Sequence, residues 1–151
     1  MNQERFAALL RRFTAAVEAG DGPGLAACFT ADGTYVDYLY GPFQGREAIA
    51  RMLVEHFHGD ARDFRWEMLD PVCDGRHGYA HYRFSFTATM PESAGRRVAI
   101  DGIAHLQLRD GLIERYSEVA NGGIAMAQLG HAPQRMARIF ARWSQRPTTW
   151  C

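Results

Sequence analysis

Little in this chain is suited to a membrane, a nucleic acid or a disulfide framework. No apolar run approaches the roughly 20 residues that a bilayer-spanning helix needs, and the first residues, MNQERF, are polar with no apolar signal core. Lys plus Arg and Asp plus Glu both number 17, so no net field recruits nucleic acid or anionic lipid. The one local excess, Arg135, Arg138, Arg142 and Arg146, reads as a solvated basic face. Cysteine is scarce: Cys28, Cys73 and Cys151 are odd in number, far apart and outside any metal or redox spacing. That usage fits reduced thiols in a cytoplasm. There is no glycine-rich nucleotide loop, no metal-ligand spacing and no nucleophile elbow. The expectation is a soluble cytoplasmic protein with no metal, no cofactor, and neither a nucleic-acid nor a membrane partner.

What the chain does have is a stretch that reads as its centre. From Ala31 to Ile49 it runs ADGTYVDYLYGPFQGREAI. Thr34 to Leu39 alternate in polarity, opened by Asp32-Gly33 and closed by Gly41-Pro42, which is the pattern of a short strand. Alternate residues share a face, so Tyr35 and Asp37 point one way and Thr34, Val36 and Tyr38 the other. If the first face is interior, a carboxyl group sits in an apolar hollow. A length of 151 residues suits one domain with a real core.

The elements around that stretch follow from periodicity. Phe6, Leu9, Leu10, Phe13 and Val17 recur at helical spacing up to a stop at Gly20. Asp21 and Pro23 open a second short helix whose buried face is Leu25, Cys28 and Phe29. Gly45 leads into a third helix with the stripe Ile49, Met52, Leu53 and Phe57, ending near Gly59. From Phe64 the period becomes two. A strand carries Phe64, Trp66 and Met68 on one side and ends at Asp70-Pro71, and a long strand from Gly78 to Met90 carries Tyr82, Phe84 and Phe86. Arg97 to Leu108 and Leu112 to Val119 follow, joined by the hairpin signal Arg109-Asp110-Gly111. No helices intervene, so the expected class is α+β with an antiparallel sheet. In the last two strands Gly102, Ala104, Leu106 and Leu108 share a face, as do Tyr116 and Glu118. A helical turn from Ile124 to Leu129 and an apolar stripe Met136, Ile139, Phe140 and Trp143 complete the chain. The extension from about residue 130 to 151 either caps a pocket or crosses a dimer interface.

The order of these elements, with AAVEAGDGPGLAACFTADGTYVD near the start and LRDGLIERYSEVAN near the end, resembles the nuclear transport factor 2-like superfamily. The branch it is most similar to holds the SnoaL-like cyclases and ketosteroid isomerases, over roughly Phe6 to Leu129. The resemblance implies a cone, a curved antiparallel sheet wrapped around the N-terminal helices, with an apolar pocket at its open end. It implies that Asp37 matches the isomerases' general-base aspartate and that Tyr82, Phe84 and Phe86 match their pocket-facing positions. The same resemblance gives the rest of the ligand-contacting wall as Phe13, Val17, Tyr35, Met52, Leu53, Phe57, Trp66, Ala104 and Leu106. The isomerases' two oxyanion donors fall at Phe13 and Ala104, which cannot donate a hydrogen bond. A preorganised donor is worth about 3 to 4 kcal/mol of barrier, so steroid isomerisation is not carried over. In the cyclase and epoxide hydrolase branches an acid on the last strand does the chemistry. Tyr116-Ser117-Glu118 resembles their Trp-x-Asp pattern, with glutamate in place of aspartate.

The resulting expectation is a cofactor-independent acid–base enzyme, of isomerase, cyclase or hydrolase type, for a small apolar or cyclic metabolite. Asp37 is the candidate base, Glu118 the second acid or base, and Tyr116, Tyr35 and Tyr82 the candidate donors. The alternatives are a binding module for an apolar ligand and a dimeric protein-interaction domain. Asp37 also fits a structural acid that accepts backbone amides near Gly41-Pro42. His56-x-His58 with Asp60 reads as a solvated cluster rather than a metal site. His81, Arg83, Ser85, Ile103 and His105 fall on the outer sheet face, a mixture that leads to the expectation of a homodimer.

Overall fold

The apolar stripe of the first segment becomes α1, Gln3–Ala19, whose Phe6, Leu9, Leu10, Phe13 and Val17 are all buried. Asn2 starts it by accepting the Arg5 N–H at 2.9 Å, and Gly20, at φ 69°, ends it in the left-handed conformation that glycine adopts without strain. Asp21 caps α2, Gly22–Ala27, by accepting the Gly24 N–H at 2.9 Å. Then come β1 (Phe29–Asp37), β2 (Gly41–Gln44) and α3 (Arg46–Met52). The α3 helix runs on through a π-helical turn, Leu53–Phe57, into the short α4, His58–Asp60. Four long strands follow, β3 (Ala61–Cys73), β4 (His77–Ala88), β5 (Arg97–Arg109) and β6 (Leu112–Ala120), and the chain closes with α5 (Gly122–Gln128) and α6 (Pro133–Trp143). The computed structural model describes residues 1–145. Arg146 and Cys151, assigned above to the basic face and to the free thiols, lie outside the described residues.

The strands form a six-stranded sheet in the order β2-β1-β6-β5-β4-β3. The fold is α+β, with a curved, unclosed sheet holding the helices against its inner side. Bulges interrupt the β3–β4 ladder at two places and the β5–β6 ladder at one, and each bends its strand. Phe13 sits at the centre of the packing. Its ring lies 5.2 Å from both Trp66 and Tyr116 and 6.1 Å from Tyr35. At the β5–β6 hairpin, Asp110 and Gly111 both take positive φ, 53° and 81°, as a two-residue turn between right-twisted strands requires.

Three features depart from the periodicity reading. The sheet is not antiparallel throughout, because β1 pairs with β6 in parallel. Alternation reports which face a residue takes and is silent on strand direction, which here is set by a four-strand meander bringing β6 back beside β1. Gly41 and Pro42 begin a further short strand, β2, tolerated because it is an edge strand where the missing proline N–H costs no ladder bond. Asp70-Pro71 likewise does not end its strand. The β3 strand is the other edge, and it passes through a bulge at this point, with Asp70 at φ 47°, before resuming pairing at Val72.

A main-chain donor of that edge strand is held by a helix. The Trp66 N–H donates to Glu18 Oε1 of α1 at 2.7 Å, and this bond fixes Trp66 against the core.

Candidate active site

At one end of the sheet lies a cavity open to solvent. Tyr35, Trp66 and Tyr82 line its inner end, Phe57, Phe64, Phe84 and Phe86 its sides, and Ile100, Ala125 and Leu129 its far wall. Two carboxyl groups, Asp37 and Glu118, open onto it. Their adjacency follows from the parallel pairing. Tyr35 of β1 stands opposite Tyr116 of β6, so one further pair of residues along both strands brings Asp37 abreast of Glu118 on the same face. Two Tyr-x-acid segments thus run side by side, and the Tyr35 and Tyr116 rings stack at 4.6 Å.

Asp37 serves two ends at once. Its Oδ1 accepts the N–H groups of Leu39 and Tyr40, both at 2.8 Å, so it does tie down the turn after β1, and the same side chain borders the cavity. Burial raises its pKa, while the Tyr40 and Leu39 amides and the nearby His56 act in the opposite direction. Glu118 is half-buried, and the surface it keeps faces the cavity. Its pKa is pushed up to about 7, chiefly by burial and then by the charge of Asp37, against hydrogen bonding from the Tyr82 and Tyr116 hydroxyls and the Tyr38 amide. The Tyr116 hydroxyl donates to Glu118 Oε2 at 3.1 Å. Burial and the Glu118 charge also raise the pKa values of the Tyr35 and Tyr116 hydroxyls well above the ordinary tyrosine value, so both stay protonated as donors.

The structure separates the residues named from sequence into two groups. Tyr35, Asp37, Phe57, Trp66, Tyr82, Phe84, Phe86 and Glu118 border the cavity. Phe13, Val17, Met52, Leu53, Ala104 and Leu106 belong instead to the sealed core, and Tyr116 lies beneath Glu118, which it orients. A helical stripe identifies the buried side of a helix but carries no information on depth along a cone. Phe13, for example, is enclosed by Phe29, Tyr35, Trp66 and Tyr116 on every side that would reach a ligand.

Sequence reasoning missed much of the rim. The Tyr40 hydroxyl donates to Asp60 Oδ2 at 2.9 Å, and His56 stacks on the Tyr40 ring at 4.9 Å. His56 thereby borders the cavity, while His58 turns away and hydrogen-bonds the Val17 carbonyl at 2.8 Å. The two histidines part because residues two apart on a helix face nearly opposite ways, and the π-helical turn that carries His56 leaves no mark in the periodicity. Among the described residues no three His, Cys, Asp or Glu side chains are grouped to hold a metal ion. The extension also meets the rim. Trp143 of α6 packs edge-on against Tyr38 at 5.4 Å, and a Cβ on Gly122 would come within 2.6 Å of Tyr38 and 3.0 Å of Trp143.

A helix-filled curved sheet with acids in an apolar mouth defines a nuclear transport factor 2-like protein, and the comparisons agree. The chain belongs to the SnoaL-like family, whose profile matches residues 10–116. Among solved structures it is similar to a protein of ketosteroid isomerase-like fold from Catenulispora acidiphila, determined with trimethylamine, at 21% identity over 82% of this chain and 93% of that one, with a TM-score of 0.74. A candidate polyketide cyclase from Xanthomonas campestris matches at 23% identity, 85% and 99% coverage and a TM-score of 0.70. An LEH-like epoxide hydrolase from M. tuberculosis matches at 15% identity, 89% and 96% coverage and a TM-score of 0.68. At these identities the likeness establishes the fold. A search of curated proteins finds no match.

The Glu118 environment has a thermodynamic signature. Folded Glu118 keeps its proton up to about pH 7, whereas an unfolded glutamate releases it near 4.5. Between those values the folded state binds more protons, so stability falls as pH rises through that window, by at most about 3 kcal/mol. Replacing Glu118 with Gln removes that contribution. Calorimetry is expected to show Glu118→Gln melting above the wild type at pH 8 and close to it at pH 4; parallel melting curves at both pH values would contradict the assignment.

Proposed function

We propose that the protein is an acid–base enzyme acting on a small, largely apolar cyclic or carbonyl metabolite without the help of a cofactor. The observation that carries this reading is the placement, at one aromatic cavity, of two carboxyl groups held by different partners, the turn amides for Asp37 and the Tyr116 hydroxyl for Glu118. Asp37, stabilised as the anion by two amides, takes a proton. Glu118, protonated up to about pH 7 and oriented by Tyr116, supplies a proton or a hydrogen bond where negative charge develops. Enolisation of a ketone and opening of an epoxide both need this division of labour: an acceptor for a carbon-bound or water proton, and a donor to oxygen. The names of the cyclase and epoxide hydrolase with the same fold support that range of chemistry. The sequence contains no lysine, so an imine route would lack its usual amine.

The test is proton exchange at carbon. Small cyclic ketones, 1-tetralone and 2-cyclohexenone among them, are incubated with the protein in D₂O and their α-proton signals followed by NMR. Exchange above the buffer rate is expected, with Asp37→Asn lowering it by about 10²- to 10⁴-fold. Exchange at the buffer rate for every ketone, or an undiminished rate in Asp37→Asn, would contradict the proposal.

The assembly belongs to the same reading. Val72, Tyr79, Ile103 and Val119, between 44% and 73% exposed, lie on the outer face of four adjacent strands, where Val72 pairs with Tyr79 and Ile103 with Val119. These two apolar pairs, with His81 and His105 between them, fit a second copy of the chain. Sedimentation velocity at micromolar concentration is expected to show a species of twice the chain mass, and Val119→Glu to shift it toward monomer. A wild-type protein that sediments only as monomer would remove the pairing.

A further inference from the structure

Trp66 Nε1 is a buried donor with no hydrogen-bond partner among the described residues, whereas the buried Tyr82 and Tyr35 hydroxyls beside it are turned toward Glu118 and Tyr116. The three residues are 4%, 1% and 0% exposed, and all three border the same cavity. A buried donor left unpaired has given up its water for nothing, and native proteins rarely leave one so.

The three atoms are not equivalent. Tyr35 stacks on Tyr116, whose hydroxyl is committed to Glu118, and so belongs to the support of the acid. Trp66 and Tyr82 form a pair of their own on neighbouring strands, their rings meeting edge to face at 5.8 Å. Trp66 is fixed by its main-chain bond to Glu18, by Phe13 at 5.2 Å and by Phe84 at 4.7 Å. An indole N–H donates and cannot accept, so its missing partner is an acceptor. That acceptor is not an anion, because Asp37, Glu118 and Asp60 already crowd the cavity with acid and, among the described residues, His56 is the one basic side chain bordering it. A neutral oxygen remains.

We propose that Trp66 Nε1–H receives the neutral carbonyl oxygen of the ligand. This donor takes the place of one of the two that Phe13 and Ala104 cannot provide. The ligand is then an oxygenated ring compound whose carbonyl points at the β3–β4 wall, and a plain hydrocarbon of the same shape binds less well. This inference rests on the acid–base reading of the cavity and names its substrate class.

The test compares 1-tetralone with tetralin, the same ring system without the oxygen. Indole N–H resonances are recorded in ¹⁵N-labelled protein, and Trp143→Phe and Trp150→Phe identify two of the three tryptophan signals, leaving that of Trp66. The expected result is a downfield shift of the Trp66 N–H with the ketone and not with tetralin. The ketone should also bind about tenfold more tightly, and Trp66→Phe should abolish that preference while leaving tetralin affinity within about twofold. An N–H signal that responds alike to both compounds, no binding of the ketone, or an unchanged preference in Trp66→Phe would each overturn the proposal. If Trp66→Phe fails to fold, the two wild-type titrations still decide. Binding is read here without turnover: a Trp66 response with no α-proton exchange sinks the acid–base reading alone, and exchange without a Trp66 response sinks this inference alone.

Discussion

Two carboxyl groups cannot both carry charge at low cost when they share an apolar cavity, and that constraint governs this protein's site. Water is displaced from Asp37 and Glu118 by aromatic walls, so each charge is costly, and the second is costlier once the first exists. Local structure breaks the tie. The turn after β1 aims the Leu39 and Tyr40 amides at Asp37, which favours its anion, and Glu118 is left to hold the proton. The two acids thus differ in what holds them: the turn amides hold Asp37 and the Tyr116 hydroxyl holds Glu118.

The constraint reaches back into the fold through strand direction. Had β1 and β6 paired in antiparallel fashion about the same Tyr35–Tyr116 pair, Asp37 and Glu118 would lie on opposite sides of that pair, too far apart to repel. Parallel pairing places them abreast. The chain achieves it by spending α3 and a four-strand meander between the two strands, so that β6 returns in the direction of β1. Burial of Tyr35 and Tyr116, stacked on each other and packed against Phe13, then fixes the height at which the acids stand in the cone.

How legible this was depends on which physical signal each feature leaves. The face of Asp37 followed from alternation with Tyr35, because a strand's period is two whatever its neighbours do. The caps at Gly20 and Asp21 and the Asp110-Gly111 hairpin were legible because they are local backbone requirements. The direction of β6 relative to β1 was not, since pairing is a long-range choice with no local trace. Depth was equally hidden: Val17 and Met52 obey the same stripe as a cavity residue would, yet they sit in the sealed core. His56 was legible only as part of a solvated cluster, because sequence spacing does not show that it stacks on Tyr40 at the cavity rim, and Gly122 of α5 has no side chain to leave a signal.

The central claim is the split in proton affinity between the two acids, and the most direct measurement is side-chain carboxyl ¹³C NMR across a pH titration. The account predicts that Glu118 titrates with a midpoint near 7 and that Asp37→Asn lowers that midpoint, because one of the two causes raising it is the Asp37 charge. A Glu118 midpoint near 4.5, indifferent to Asp37→Asn, would mean that the two acids share no dry cavity and would contradict the account.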